Sequence, residues 1–166
     1  MPHAATVVTV SDRAAQGVRA DAAGPVAVVA LRAAGFECAD AVVVADGAES
    51  VDGALRAALG RGARLVVTTG GTGVGPRDRT PEGTAGVVTR ALPGIAEELR
   101  RIGAAEAPGG LLSRGIAGVV DAGDVSAQGA LIVNLPGSPR AVASGMPVVL
   151  GVAGHVIDQL AGSDHK

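Results

Sequence analysis

The chain has 166 residues and a formal net charge of −2, enough for one domain that buries about two thirds of its unfolded surface and the wrong charge for a nucleic-acid binder held by a general basic field. With one Phe (Phe36) and neither Trp nor Tyr, an aromatic base-stacking platform is excluded; with Cys38 as the one cysteine, so are an intramolecular disulfide and a cysteine-rich zinc site. The single lysine is the last residue, Lys166, which removes a phosphate-loop lysine and a Schiff-base lysine from the body of the fold.

Residues 5–10 read as a β-rich apolar strand closed by Ser11, Asp12 and Arg13. Between Pro25 and Gly35, Val26, Val29, Ala30, Ala33 and Ala34 recur at helical spacing. Cys38 lies in an alternating stretch and reads as a half-buried strand residue, and a second strand over 41–44 ends at Ala45-Asp46-Gly47. Ser50 is placed to cap a helix whose apolar stripe is Val51, Leu55, Ala58 and Leu59, with Gly60 and Gly62 past its end. A third strand, 65–69, runs straight into Gly70-Gly71-Thr72-Gly73. Thr80-Pro81-Glu82 is a helix start with Thr80 as N-cap and Pro81 at the first helical position. Residues 95–106 read as another helix, broken by Pro108-Gly109-Gly110, and 116–120 and 131–135 as strands. Ser138-Pro139 opens a last helical region, bent near Pro147. Residues 141–157 carry no Asp, Glu, Lys or Arg, but Ser144, Gly145, Pro147, Gly151, Gly154 and His155 interrupt them, so the segment reads as a buried helical tail and not as a membrane span.

Strands alternating with helices predict an α/β domain with a mostly parallel sheet and helices on both faces, one domain over 1–166 with its core at about 5–160. The mean hydropathy of +0.38 hints at burial between subunits. The N-terminus has neither the basic start nor the long apolar run of a signal peptide, so a soluble cytoplasmic protein is expected, with no membrane and no nucleic acid among its partners.

In open α/β sheets ligands bind beyond the carboxyl ends of the strands, and each unusual polar cluster here follows a strand, so the clusters are expected to share one rim. The segment from Thr68 to Glu82 is the most informative. Gly70, Gly71, Gly73 and Gly75 allow positive φ and leave backbone N–H groups uncovered for a phosphate, and the helix start that follows adds positive potential. The glycine spacing is not that of a dinucleotide-binding fingerprint, and no lysine follows. Asp78, between Arg77 and Arg79, is a candidate Mg2+ ligand, since Mg2+ takes one or two carboxylates plus phosphate oxygens; the alternative is a salt-bridged loop carboxylate. Glu82 suits the helix dipole whatever else it does. Asp46 and Asp12 are turn or cap residues by local sequence and site residues by their place after strands, with Arg13 beside Asp12 to hold an anion. Ser113-Arg114-Gly115 suits a second phosphate. Asn134-Leu135-Pro136-Gly137-Ser138 combines a turn and a cap with an asparagine suited to a nucleoside pocket. Glu97, Glu98, Arg100 and Arg101 read as a solvated helix face without chemistry. His3, His155 and His165 are too scattered for a metal site or a Ser/His/Asp arrangement.

The run TTGGTGVGPRDRTPEGT, the preceding SDR loop, the LSRG segment and the NLPGSP turn together resemble the molybdopterin adenylyltransferase (MogA/MoaB-like) family, which includes the G domain of gephyrin. The resemblance covers about residues 5–160. It implies a three-layer αβα sandwich, a homotrimer, and adjoining pockets for two substrates, molybdopterin and ATP, with Mg2+ as cofactor. It implies that the phosphate of molybdopterin attacks the α-phosphorus of ATP and expels pyrophosphate, and that the product passes to a molybdenum insertase. By motif, Asp46 and Asp78 match the catalytic and metal-binding carboxylates. Thr69, Gly70, Gly71, Thr72 and Gly73, with Thr80 and Glu82, match the phosphate loop and its helix. Ser11, Asp12 and Arg13 match the first loop, and Asn134, Pro136, Gly137 and Ser138 a turn associated with nucleotide binding; Ser113 and Arg114 lie in the LSRG segment that shares the resemblance. The rival expectations are a non-catalytic molybdopterin-binding homologue, a molybdenum-insertion domain of the same fold, and a trimeric scaffold.

Overall fold

The computed structural model describes residues 1–163; His165 and Lys166 lie outside the described residues. In chain order the elements are β1 (Ala4–Val10), α1 (Asp12–Ala15), α2 (Ala23–Ala33), β2 (Glu37–Cys38), β3 (Val42–Val44), α3 (Ala48–Gly60), β4 (Leu65–Thr69), α4 (Thr80–Ala85), β5 (Arg90–Ala91), α5 (Pro93–Glu106), a 3-10 turn (Pro108–Leu112), β6 (Ala117–Val120), β7 (Ala130–Leu135) and α6 (Pro139–Leu160).

The strands form one seven-stranded sheet in the order β2-β1-β4-β7-β6-β5, with β3 also on β1. β2 pairs with Ala4 and Ala5 and β3 with Val8 to Val10, so the two short strands are successive pieces of one edge. The pairs of β1 with β2, β3 and β4, and of β4 with β7, are parallel; β5–β6 and β6–β7 are antiparallel. The mostly parallel α/β architecture is therefore as expected, with an antiparallel edge added.

The period-2 alternation of the central strands builds the two cores. Val7, Leu65, Val67, Leu131 and Val133 face one side, packed against α2 and α6. Val8, Val66 and Ile132 face the other, with Val51, Leu55 and Leu59 of α3. α6 is long and apolar enough by composition to pass for a membrane span, with a mean hydropathy of 1.5. Its Val142, Met146, Val149, Ala153 and Ile157 nevertheless lie at helical spacing in the core, as expected for a buried tail. It runs through Pro147 as a single helix, opened by Ser138, whose Oγ accepts the Ala141 N–H at 3.1 Å.

Two expected caps are corrected. α3 starts at Ala48, behind Gly47 at φ +120°, and not at Ser50; the Ser50 hydroxyl donates to the Ala45 carbonyl at 2.5 Å, inside the helix. Thr80 is the first residue of α4 and makes no cap hydrogen bond; its hydroxyl donates instead to Gly70 O at 2.9 Å. In both cases the residue lies within the helix, behind Gly47 or Arg79 at the N-cap position, and its hydroxyl donates to a carbonyl from the preceding loop.

Candidate functional site

Chain order reverses on either side of β1: β2 and β3 follow it on one flank, β4 lies on the other. Such a switch point leaves a crevice at the carboxyl ends of the strands. The loop after β1 and the loop after β4 enter that crevice side by side. Gly70, at φ +90°, donates its N–H to Leu135 O at 3.0 Å, and a Cβ there would lie 2.3 Å from Val10 O, so only glycine lets the three strand ends meet. Among the described residues, the N–H groups of Gly71, Thr72 and Gly73 make no intramolecular hydrogen bond. Three adjacent free donors form a concavity suited to the oxygens of an anion.

The loop is a wall between two cavities. The smaller, of about 250 Å³, is lined by Ser11, Asp46, Thr69, Gly70, Gly71, Asp78 and Gly137. The larger, of about 370 Å³ and mostly apolar, takes in Thr72, Gly73, Ser113, Asn134, Pro136 and Ser138. The four polar clusters of the sequence are thus brought to one rim.

Asp46 and Asp12 hold each other. The Asp12 N–H donates to Asp46 Oδ2 at 2.9 Å, and the Asp46 N–H to Asp12 Oδ1 at 3.1 Å. Arg77 then grips Asp12 with both arms, Nε to Oδ2 at 2.8 Å and Nη2 to Oδ1 at 2.9 Å, and reaches Asp46 O at 3.0 Å. That pairing holds the Asp12 carboxyl below the usual carboxylate range. Asp46 moves the other way. Burial pushes its carboxyl up, and the charges of Asp12 and Asp78 push it further, against the Asp12 N–H and Arg77.

Asp78 Oδ2 accepts the Gly75 N–H at 3.0 Å, which folds the loop tip back and turns the carboxylate toward the cavity that Asp46 also lines. Two carboxylates facing one crevice, one destabilised by the other's charge, are hard oxygen donors suited to a Mg2+ ion that keeps its remaining positions for water and phosphate. No group of three or more His, Cys, Asp or Glu suited to a metal occurs among the described residues, so Asp46 and Asp78 would hold the ion only jointly with a ligand's oxygens.

An uncompensated charge at Asp46 has a measurable consequence. A raised folded-state pKa means that stability falls as pH rises through the carboxylate range. Asp46→Asn keeps an acceptor for the Asp12 N–H and removes the charge. It is expected to raise the Tm by about 1–3 °C at neutral pH, a gain that disappears below the carboxylate range. Thermal unfolding of both proteins across pH checks this; a variant less stable than wild type at pH 7 would refute it.

The other expected residues have assigned places. Ser11 Oγ accepts the Ala14 N–H at 3.2 Å and caps α1, and Arg13 is exposed. Thr69 and Thr80 are fully buried, Thr80 holding the loop rather than facing a ligand. Arg114 is spent inside the protein. Its N–H groups reach Gly73 O at 2.8 Å, Asp78 O at 2.7 Å and Glu82 Oε1 at 2.5 Å, so it ties the loop to α4, and it holds the Glu82 carboxyl below its ordinary range. The Asn134 amide is also committed: Oδ1 accepts the Ile116 N–H at 3.1 Å, and Nδ2 donates to Thr68 and Thr84 at 2.9 Å each.

Residues that the sequence did not single out also line the cavities. Arg19 and Asp21, from the long loop before α2, border the smaller one. Arg100, Glu106 and Arg140 border the larger. Arg100 donates to Gly115 O at 2.9 Å, and so belongs to the cavity wall and not to a solvated face. The signal was present: Ala96, Leu99, Arg100, Gly103 and Glu106 follow a helical repeat on one face of α5, and all five line the cavity.

Known proteins resemble this chain along almost its whole length. Residues 6–155 match the family described as "Probable molybdopterin binding domain". The chain is 40% identical over 161 residues to the molybdenum cofactor biosynthesis bifunctional protein of Synechococcus elongatus, covering 97% of this chain and 48% of that protein. It thus spans about half the length of that bifunctional relative. It is 33% identical to the molybdopterin adenylyltransferase of Haemophilus influenzae, covering 91% of this chain and 75% of that one. The solved structure of the molybdopterin biosynthesis Mog protein from Mycobacterium ulcerans superposes with a TM-score of 0.85 at 42% identity, covering 96% and 99% of the two chains. The sequence match along almost the whole chain and the shared fold agree: this chain belongs to the MogA/MoaB-like family of molybdopterin binding domains of molybdenum cofactor biosynthesis.

Proposed function

We propose that this chain is a molybdopterin adenylyltransferase, which transfers AMP from Mg-ATP to the phosphate of molybdopterin and releases pyrophosphate. The observation that carries the reading is a glycine loop with free N–H groups standing between two cavities, one of them lined by Asp46 and Asp78. The name of the Haemophilus influenzae relative supports it.

In this reading a phosphate oxygen of molybdopterin forms a bond to the α-phosphorus, the bond from that phosphorus to the α,β-bridging oxygen breaks, and the electron pair leaves with pyrophosphate. Both reactants are polyanions, so the protein's work is positioning and charge neutralisation. Asp46 and Asp78 would hold Mg2+, which supplies charge neutralisation on the triphosphate. The N–H groups of Gly71 to Gly73 steady phosphate oxygens, and Arg19 adds positive charge at the rim of the smaller cavity. Arg77 and Arg114 act at one remove, holding Asp12 and the loop in place. No side-chain nucleophile is required.

The same proposal includes a cytoplasmic homotrimer that passes its adenylylated product to a molybdenum insertase. The test is pyrophosphate release from Mg-ATP by the purified chain with and without molybdopterin. Release that requires molybdopterin supports the reading; a folded protein that binds molybdopterin and releases no pyrophosphate is the non-catalytic homologue instead.

A further inference from the structure

Asp46 and Asp78 stand on separate loops, after β3 and after β4, and each keeps one oxygen unengaged. Asp46 Oδ2 accepts the Asp12 N–H and Asp78 Oδ2 the Gly75 N–H; among the described residues neither Oδ1 takes part in a hydrogen bond. Asp46 Oδ1 faces the glycine loop, 3.2 Å from where a Cβ on Gly71 would lie. The link that sets the two carboxylates apart runs through Arg77. Its backbone adjoins Asp78, and its guanidinium reaches across to the other loops, with Nε and Nη2 on the two oxygens of Asp12 and Nη2 also on Asp46 O. Asp12 and Asp46 in turn each donate an N–H to the other's carboxylate. Among the described residues, the three Arg77 bonds are the only hydrogen bonds between the Asp12–Asp46 pair and the glycine loop. Neither Arg77 nor Asp12 lines either cavity, so the pair acts on the site through Asp46 and Asp78. The Arg77 side chain is 62% exposed, and an ion pair so open to water adds little to stability. Its planar fork, held at three points, supplies geometry instead.

The adenylyl-transfer reading, on which this inference rests, puts a metal-bound triphosphate between the two carboxylates. Mg2+ holds its oxygens at about 2.0–2.1 Å in a near-ideal octahedron, whereas Ca2+ takes them at about 2.3–2.6 Å in a looser shell. Carboxylates on two loops tell such ions apart only where their separation is fixed. We propose that Arg77 is a positioning residue: through Asp12 it fixes the spacing of Asp46 and Asp78, and so fits the crevice to Mg2+ over larger divalent cations.

The test uses the full chain and calorimetric titration with an ATP analogue that carries a methylene bridge between the α- and β-phosphates, so that nothing is transferred. Affinity is measured with Mg2+, with Ca2+ and with EDTA. In wild type, Mg2+ is expected to tighten binding about 10-fold more than Ca2+ does. In Arg77→Ala, and equally in Asp12→Asn, that difference shrinks to within about twofold, while affinity in EDTA stays within about twofold of wild type. The two substitutions change the charge beside the site in opposite directions, so the same loss in both is a loss of position and not of potential. A merely structural role predicts instead weaker binding under all three conditions. Arg77→Lys, which keeps the charge and loses the fork, is expected to behave as Arg77→Ala and carries the test if either variant fails to fold. A folded variant that keeps the wild-type preference for Mg2+, opposite shifts in Arg77→Ala and Asp12→Asn, or wild type tightened equally by Mg2+ and Ca2+ overturns this inference alone. Wild type whose affinity for the analogue ignores metal altogether overturns the metal-bound triphosphate of the adenylyl-transfer reading, and this inference with it.

Discussion

Molybdopterin-dependent pyrophosphate release is expected to fall about 100- to 1,000-fold in Asp78→Ala, with the fold intact. The fold survives because the loop has other ties: Arg114 holds Gly73 O and Asp78 O, and Thr80 holds Gly70 O. None of these depends on the Asp78 side chain. That side chain does two things, however, since its Oδ2 also accepts the Gly75 N–H at 3.0 Å. Asp78→Asn separates them, keeping an acceptor for Gly75 and removing the charge that would hold Mg2+ in the proposed reaction. If charge is what matters, Asn is as poor as Ala in steady-state turnover. If the tether matters, Asn recovers most of the activity. Alanine and asparagine variants that both turn over like wild type would remove Asp78 from the reacting centre.

Gly71→Ala is expected to cost about 2–4 kcal/mol of stability and about 100-fold in turnover. Gly71 sits at φ +68°, where an L side chain is strained, and its Cβ would lie 2.2 Å from Thr80 Oγ1 and 3.2 Å from Asp46 Oδ1. Thr80 cannot step aside, because it is fully buried and its hydroxyl is held by Gly70 O. The added methyl group must therefore move the loop, and the loop carries both the free N–H groups and the approach to Asp46. Urea unfolding measures the first effect and pyrophosphate release the second. Thr80→Ala in the Gly71→Ala background removes the overlap but not the backbone strain, so the double variant should recover part of the loss. A Gly71→Ala protein with wild-type stability would mean that the loop has room it does not show.

The parts that were legible in the sequence are those decided by local chemistry. The buried β-branched run of β4, the stripe of α3 and the cap at Ser138 rest on residues within a few positions of one another. The glycine loop announced itself in the same way, since four glycines in six residues mean uncovered backbone in any context. β2 showed in the sequence only as the half-buried strand setting of Cys38, and β5 was not legible, because it has only two residues and exists through its pairing with Gly118 and Val119.

The sequence by itself determined the fold class, the position of the loop after a strand, and the residue types available for phosphate and metal chemistry. Only the tertiary structure decided which of those residues are free to act. Arg77 and Asp12 are 65 residues apart and Arg114 and Glu82 are 32 apart, and each pair consumes cations and carboxylates that looked available along the chain. Asn134 is likewise bound to Thr68 and Thr84, on two other elements, while Arg100 and Glu106 become cavity walls only when α5 packs beside α6 and β6. The physical reason is the same in each case: a short hydrogen bond or ion pair depends on separation in space, which burial of the two cores sets and spacing along the chain does not.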